Sequence, residues 1–395
     1  METKDAASLF GKLESFTVFR DLLDQKPFTA LARLLHISAS GIKYNTAFLP
    51  RLYGEFVSSL SEYGFCFSDY LKSALAASDN VYARAVAAGN AIPSAVKKNT
   101  DSELDILTYL TTLSPASLSS LFSSAYVPVF ENEYTDLSEY YRTRMKKISK
   151  LGYGIFASNT MYRLDGDRIV RSESPDPVTV DSFVRYESQR DVLIKNTENL
   201  ISGKTASNIL LYGDAGTGKS SSVKACANLF SDEGLRLIEI RKDQIFSLPQ
   251  VLGKISGNPL KFIIFIDDLS FTENDDSFSM LKAVLEGSTS AKADNAVIYA
   301  TSNRRHIVKE NFSDRSDDVH RNDSLQEMMS LSDRFGITIY FEKPDKETYL
   351  HIAEVIAERK GIPADPDFKV RAEAFALKKG GRSPRTAEQF VNSLR

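Results

Sequence analysis

Apolar positions change their spacing twice along this chain. Up to about residue 150 they recur at three- and four-residue steps: Leu9, Phe10, Leu13, Phe16, Phe19 and Leu22, then Leu31, Leu34 and Leu35. That period predicts helices with one buried face. Residues 47–60 and 67–77 continue it, with Gly64 and Asp79-Asn80 as breaks. Asp101-Ser102-Glu103 reads as the cap of a helix reaching 113, and 135–150 as a helix rich in Arg and Lys. Around Asp165-Gly166-Asp167 the pattern becomes that of a β-hairpin. A linker from Ser172 to Pro177 and a helix over 184–200 follow.

Short, continuous apolar runs then occupy 209–212, 235–240, 261–266, 296–301 and 337–341, with helical stretches between them at 222–230, 244–255 and 278–285. Strands that are apolar on both faces, alternating with helices, predict a parallel sheet covered on both sides. Beyond Lys343-Pro344-Asp345 the pattern is helical again, over 349–360, 368–379 and 386–394. The chain therefore divides into an N-terminal helical domain (1–150), a β-hairpin and linker (151–181), an α/β core (182–343) and a small α-helical segment (344–395).

The first core strand runs into Gly213-Asp214-Ala215-Gly216-Thr217-Gly218-Lys219-Ser220, which fits the phosphate-binding P-loop spacing G-x-x-x-x-G-K-[ST]. Glycines let successive backbone N–H groups turn inward on a polyphosphate, and the following helix adds its free amides and the positive end of its dipole. In that arrangement Lys219 reaches the β- and γ-phosphates and the Ser220 hydroxyl binds Mg²⁺. About fifty residues on, the strand 262–266 ends in Asp267 and Asp268. Asp267 is placed to hold Mg²⁺ and Asp268 to orient the attacking water. The strand 296–301 ends in Ser302 and Asn303. Asn303 is a candidate partner of the γ-phosphate or the water, with a turn or helix-cap role as the alternative. In this reading the acids arrive from the strand tip adjacent to the P-loop.

Composition narrows the field. The 395 residues include 42% hydrophobic and 26% charged positions, with a net charge of −3, so no global basic field points to nucleic acid. No apolar run approaches the length of a membrane span, and the first residues carry no signal-peptide pattern. The two cysteines, Cys66 and Cys226, read as buried thiols of a cytoplasmic protein. Four scattered histidines and two cysteines supply no zinc constellation. The Arg/Lys cluster over 142–150 reads as a solvated helix face, with a partner or nucleic-acid patch as the alternative.

Taken together, these stretches resemble the AAA+ ATPase family, and within it the uncharacterised bacterial family known as domain of unknown function 815. The resemblance rests on Gly213 to Ser220 as Walker A, Phe262 to Asp268 as Walker B and Asn303 as sensor 1. The segment ending in Asp333-Arg334-Phe335-Gly336 matches the arginine-finger region. It covers about 182–395, and the N-terminal helical region is expected to belong to the same family. It implies ATP and Mg²⁺ as ligands and a homo-oligomer in which Arg334 acts in trans; a surface ion pair with Asp333 or Glu342 is the alternative for that residue. It also implies a sensor 2 arginine at Arg385, with Arg382 as the competitor, on a helical lid. The expected activity is ATP hydrolysis coupled to remodelling or loading of a macromolecule, and the alternative is a nucleotide-gated adaptor with little turnover. DNA is a candidate partner on the basic cluster and Arg304-Arg305 alone. One departure stands out: Walker B ends Asp-Asp where most active members have Asp-Glu, which bears on hydrolysis more than on binding.

Overall fold

The computed structural model describes every residue except 41–47, 175, 271–275, 288–292, 304–332, 364 and 395. The charged stretch from Arg304 to Arg321 therefore lies outside the described residues. The chain forms two compact units, Met1–Ser158 and Asn159–Arg395, each with its own core.

The first unit is helical. Its core gathers Leu9, Leu13, Phe19 and Leu31 with Tyr53, Phe56, Phe67 and Tyr141, the three- and four-residue stripes expected of amphipathic helices. Two local readings change. The helix expected to start at Asp101 spans Ser94–Leu110. Glu103 is no cap residue of that helix; its buried carboxylate accepts from the amides of Thr17, Val18 and Phe19 at 2.7–3.1 Å. In the basic cluster, Arg144 is buried and donates to the carbonyls of Leu151 and Gly152 at 3.1 and 3.2 Å, while Arg142 pairs with Asp101 at 3.0 Å. Of the five cations over 142–150, Arg142, Lys146, Lys147 and Lys150 are exposed, so the solvated face expected there loses Arg144 alone.

The second unit is built on a seven-stranded sheet: β1 (Met161–Asp165), β2 (Arg168–Arg171), β3 (Ile209–Gly213), β4 (Leu235–Ile240), β5 (Lys261–Ile266), β6 (Ala296–Ser302) and β7 (Ile337–Phe341), in the order β2-β1-β4-β5-β6-β3-β7. Among the described residues only β1 and β2 pair antiparallel; β1 pairs parallel with β4, so the hairpin extends the same sheet. Phe262 to Ile266 are fully buried along β5. Ile263 and Phe265 join a core with Leu193, Leu200, Val223 and Cys226, and alternation sends Phe262, Ile264 and Ile266 to the opposite face. Burial pushes the Cys226 thiol up to about 12. The helices Lys346–Arg359, Phe368–Lys378 and Pro384–Asn392 form a small bundle around Tyr349, Ile352, Phe368 and Phe390. The α/β fold class read from the sequence, a P-loop parallel sheet with helical additions at both ends, is the fold observed. Among the described residues no helix is long and apolar enough to cross a membrane.

Candidate functional site

β3 ends at Gly213, the chain turns through 214–218, and the helix Lys219–Leu229 begins. At Gly213, with φ +132°, an added Cβ would lie 2.1 Å from the Phe341 carbonyl oxygen on β7. Gly216, with φ +77°, would place a Cβ 2.9 Å from Ser383 Oγ and 3.2 Å from Arg385 Cβ. The turn is closed tightly against both the neighbouring strand and the helical bundle. Gly213→Ala is therefore expected to lower stability without nucleotide by about 1–3 kcal/mol, the usual cost of overpacking. A denaturant unfolding curve checks this, and a midpoint equal to wild type would show that β7 yields freely.

Lys219 is 6% exposed. Its Nζ donates to the carbonyls of Gly213 and Asp214 at 3.0 and 2.8 Å and to Asn303 Oδ1 at 3.0 Å. Burial lowers its pKa, against the opposing pull of Asp214, Asp267 and Asp268. Ser220 Oγ donates to Asp267 Oδ1 at 2.6 Å, and Asn303 Nδ2 donates to Asp268 Oδ1 at 2.8 Å. Because the Asp268 amide also donates to Asp267 Oδ1 at 3.1 Å, Lys219, Ser220, Asp267, Asp268 and Asn303 form one hydrogen-bonded group. The acids do not come from the adjacent strand, however: β6 lies between β3 and β5. The registers Leu211↔Thr301 and Ile266↔Ala300 carry the polar end of β6 into the gap between the P-loop and the acids.

The two competing arginines differ in position. Arg382 is engaged by Glu373, with Nε 3.1 Å from each carboxylate oxygen. Arg385 lies in the first turn of the helix Pro384–Asn392, where backbone amides have no partner within the helix; its N–H donates to the Gly216 carbonyl at 3.2 Å. Ser383 caps that helix by accepting from the Thr386 amide at 3.1 Å. Arg334 is not brought to the group. It precedes β7, whose pairing with β3 runs from Ile209↔Ile337 to Gly213↔Phe341, so it sits at the end of the strands opposite the P-loop. Its guanidinium pairs with Glu286, a partner the sequence did not suggest.

The sequence reading missed the cleft beside the P-loop. It has a volume of about 630 Å³ and is walled by the chain from Asp176 to Tyr186, by Gly216 to Gly218, and by Ile352, Ile356 and Arg385 of the helical bundle. The end of the supposed linker and the first residues of the helix expected over 184–200, which starts only at Glu187, form a strap. Asn228 Nδ2 donates to the carbonyls of Asp176 and Val178 at 2.8 and 2.9 Å, and Arg359 donates to the Ser182 carbonyl at 2.8 Å. The Phe183 ring lies under the Arg190 guanidinium at 5.1 Å and against Gly218. Arg185 and Tyr186 both adopt positive φ, 72° and 64°, as the strap turns into the helix Glu187–Ile201. Tyr186 Oη then donates to the Glu342 carbonyl at 2.7 Å. The available signal was the apolar pair Phe183-Val184 in a stretch too short for any period.

The residues suit a magnesium nucleotide. The turn is one that a Cβ would obstruct, a buried ammonium lies at its base, and Ser220 and Asp267 offer hard oxygen donors. Two protein oxygens match Mg²⁺, which keeps several waters and takes phosphate oxygens for the rest.

A P-loop strand set between parallel neighbours, with a helical bundle returning to the loop, is the arrangement that the resemblance to AAA+ proteins implied. The chain belongs to the family described as "Protein of unknown function (DUF815)", which matches residues 158–395. The match leaves the N-terminal helical unit outside it, although the resemblance was expected to extend there. No curated protein matches the chain. Among solved structures it is similar to the Thermotoga maritima RuvB Holliday junction branch migration motor. The identity is 14% over 55% of this chain and 63% of that one, with a TM-score of 0.38. It is also similar to the Aeropyrum pernix ORC1 protein in complex with DNA, at 14% identity over 56% and 63% of the two chains and a TM-score of 0.40. The chain thus spans less than two thirds of the length of these structures.

Proposed function

We propose that this protein binds ATP with Mg²⁺ and hydrolyses it as a homo-oligomer, coupling turnover to the remodelling or loading of a macromolecular partner. The observation that carries the reading is the single hydrogen-bonded group joining Lys219, Asn303 and Asp268 on one side to Ser220 and Asp267 on the other. The amides of 213–220 cradle the phosphates and Lys219 neutralises the β- and γ-oxygens. Ser220 and Asp267 hold Mg²⁺, which supplies charge stabilisation on the phosphate oxygens. Asp268 accepts the proton of the attacking water, and Asn303, already bonded to it, fixes its direction. The 630 Å³ cleft takes the base and ribose between the strap and the bundle, which acts as a lid through Arg385. Core (182–343) and lid (344–395) are one functional pair in this reading.

The test is ATP turnover by the purified chain over a wide range of protein concentration, with and without single-stranded DNA. Specific activity is expected to rise steeply with concentration, because the site is completed by a neighbour's Arg334. A rate per chain that is flat and equal to that of Lys219→Ala would end the proposal. A DNA effect would identify the partner class.

A second reading, a nucleotide-gated adaptor with slow turnover, is favoured by Asp268 itself. It has one methylene less than glutamate, sits at φ +53°, and has Oδ1 held by Asn303. For the ATPase reading, Asp268→Glu is expected to change the turnover number by less than about tenfold. A misplacement of about 1 Å is worth on the order of 100-fold, so a gain of that size would favour the slow switch.

A further inference from the structure

We infer that the Thr301 hydroxyl fixes both acids of this site, making Thr301 the positioning residue for Mg²⁺-linked nucleotide binding; the inference rests on the reading just given. Thr301 is 2% exposed near the end of β6, where it follows the buried Val297, Ile298, Tyr299 and Ala300 and precedes the buried Ser302. Valine would fill the same volume there. A buried hydroxyl in such a slot is unfavourable unless its bonds are made. Both are made, and both go to the two residues that follow β5. Oγ1 donates to Asp267 Oδ1 at 2.5 Å and accepts from the Asp268 amide at 2.9 Å.

Each bond constrains one acid. Asp267 Oδ1 receives three donors, from Thr301 Oγ1, from Ser220 Oγ at 2.6 Å and from the Asp268 amide at 3.1 Å. None of the three engages Oδ2, the oxygen left for a cation. Asp268 holds a left-handed backbone, φ +53°, a region uncommon for residues with a Cβ although Asp enters it more readily than most. Its amide is pinned by Thr301 Oγ1, and the next amide, Leu269 N, donates to the Thr301 carbonyl at 2.7 Å. One residue on the sensor strand therefore sets the side chain of the metal-holding acid and the backbone of the water-orienting one. Partners that hold a metal ligand in place typically change metal affinity by about 10–100-fold when removed.

The test compares wild type, Thr301→Val, Thr301→Ser and Lys219→Ala by equilibrium binding of a fluorescent ATP analogue, with Mg²⁺ and with EDTA. The readout is the ratio of the two affinities. Thr301→Val is expected to lose about tenfold or more of the wild-type ratio and to need more Mg²⁺ for half-saturation, while Thr301→Ser keeps both. Should Thr301→Val not fold, Thr301→Ala is read the same way. A folded Thr301→Val with the wild-type ratio overturns the inference, and so does an equal loss in the valine and serine variants, which would assign the role to the packing of the whole side chain and not to its hydroxyl. If wild type itself shows no Mg²⁺-dependent gain, or binds no better than Lys219→Ala, the nucleotide-site reading fails and takes the inference with it.

Discussion

Lys219→Ala is expected to weaken ATP binding by at least about 100-fold and to remove measurable turnover. Lys219 is the buried cation of the group, and its ammonium is desolvated before any phosphate arrives. Truncating one member of a buried, hydrogen-bonded charge pair costs on the order of 2–5 kcal/mol, and 100-fold corresponds to about 2.7 kcal/mol. A melting shift reads this directly. At ATP one hundred times the wild-type dissociation constant, wild type gains about 2.7 kcal/mol of apparent stability, and a 100-fold weaker variant gains about 0.4 kcal/mol. Without nucleotide the variant is expected to melt no lower than wild type. Burial holds the folded-state pKa of Lys219 below its ordinary 10.5, so the charged side chain carries a folding cost. That cost is complete below the folded-state pKa and fades as pH rises toward 10.5. The substitution removes it. Equal ATP-induced melting shifts in the two proteins would contradict the assignment.

The sequence revealed most where chemistry restricts residue type. Few residues besides glycine tolerate the turn at Gly213 against Phe341, so the P-loop stands out as a spacing of glycines, lysine and serine. Strands buried on both faces, such as 262–266, are apolar without interruption and hard to mistake. What was not legible depends on partners distant in sequence. Glu103 looked like a helix cap because its acceptors' donors, the amides of 17–19, are more than eighty residues away. Strand order is likewise a property of the folded sheet: β6 is inserted between β3 and β5 although it follows both in the chain. The sequence pointed to Asn303 because its strand was expected beside that of Asp267, as it is, whereas the bonds of Thr301 to the two acids show only in the folded sheet. The strap reads as a linker running into a helix because its anchors are side chains of other segments, Asn228 and Arg359, on its carbonyls. Arg382 and Arg385 could not be ranked until Glu373 was seen to hold the first.

Arg334→Ala is expected to lower turnover by about 10³-fold or more while leaving ATP affinity within a few-fold of wild type. An arginine that meets the transferring phosphoryl group is worth on the order of 10³–10⁵ in rate, because the transition state spreads charge over its oxygens. Within one chain Arg334 is at the wrong end of the sheet. Five paired residues of β3 and β7 separate its end from the P-loop, roughly 16 Å at 3.3 Å per residue. Its own Glu286 meanwhile holds the guanidinium at a partly exposed position, 27% accessible. The mixing experiment decides between this role and a purely structural ion pair. Arg334→Ala chains keep an intact P-loop and Lys219→Ala chains keep an intact arginine, so each alone is inactive while a mixed oligomer contains some complete interfaces. Partial recovery of turnover on mixing is the expected result. Arg334→Lys should not restore it, since an ammonium lacks the planar fork that spans two oxygens. Full activity in Arg334→Ala, or no recovery in a mixture shown to co-assemble, would confine Arg334 to its bond with Glu286 and leave the site to be completed within one chain.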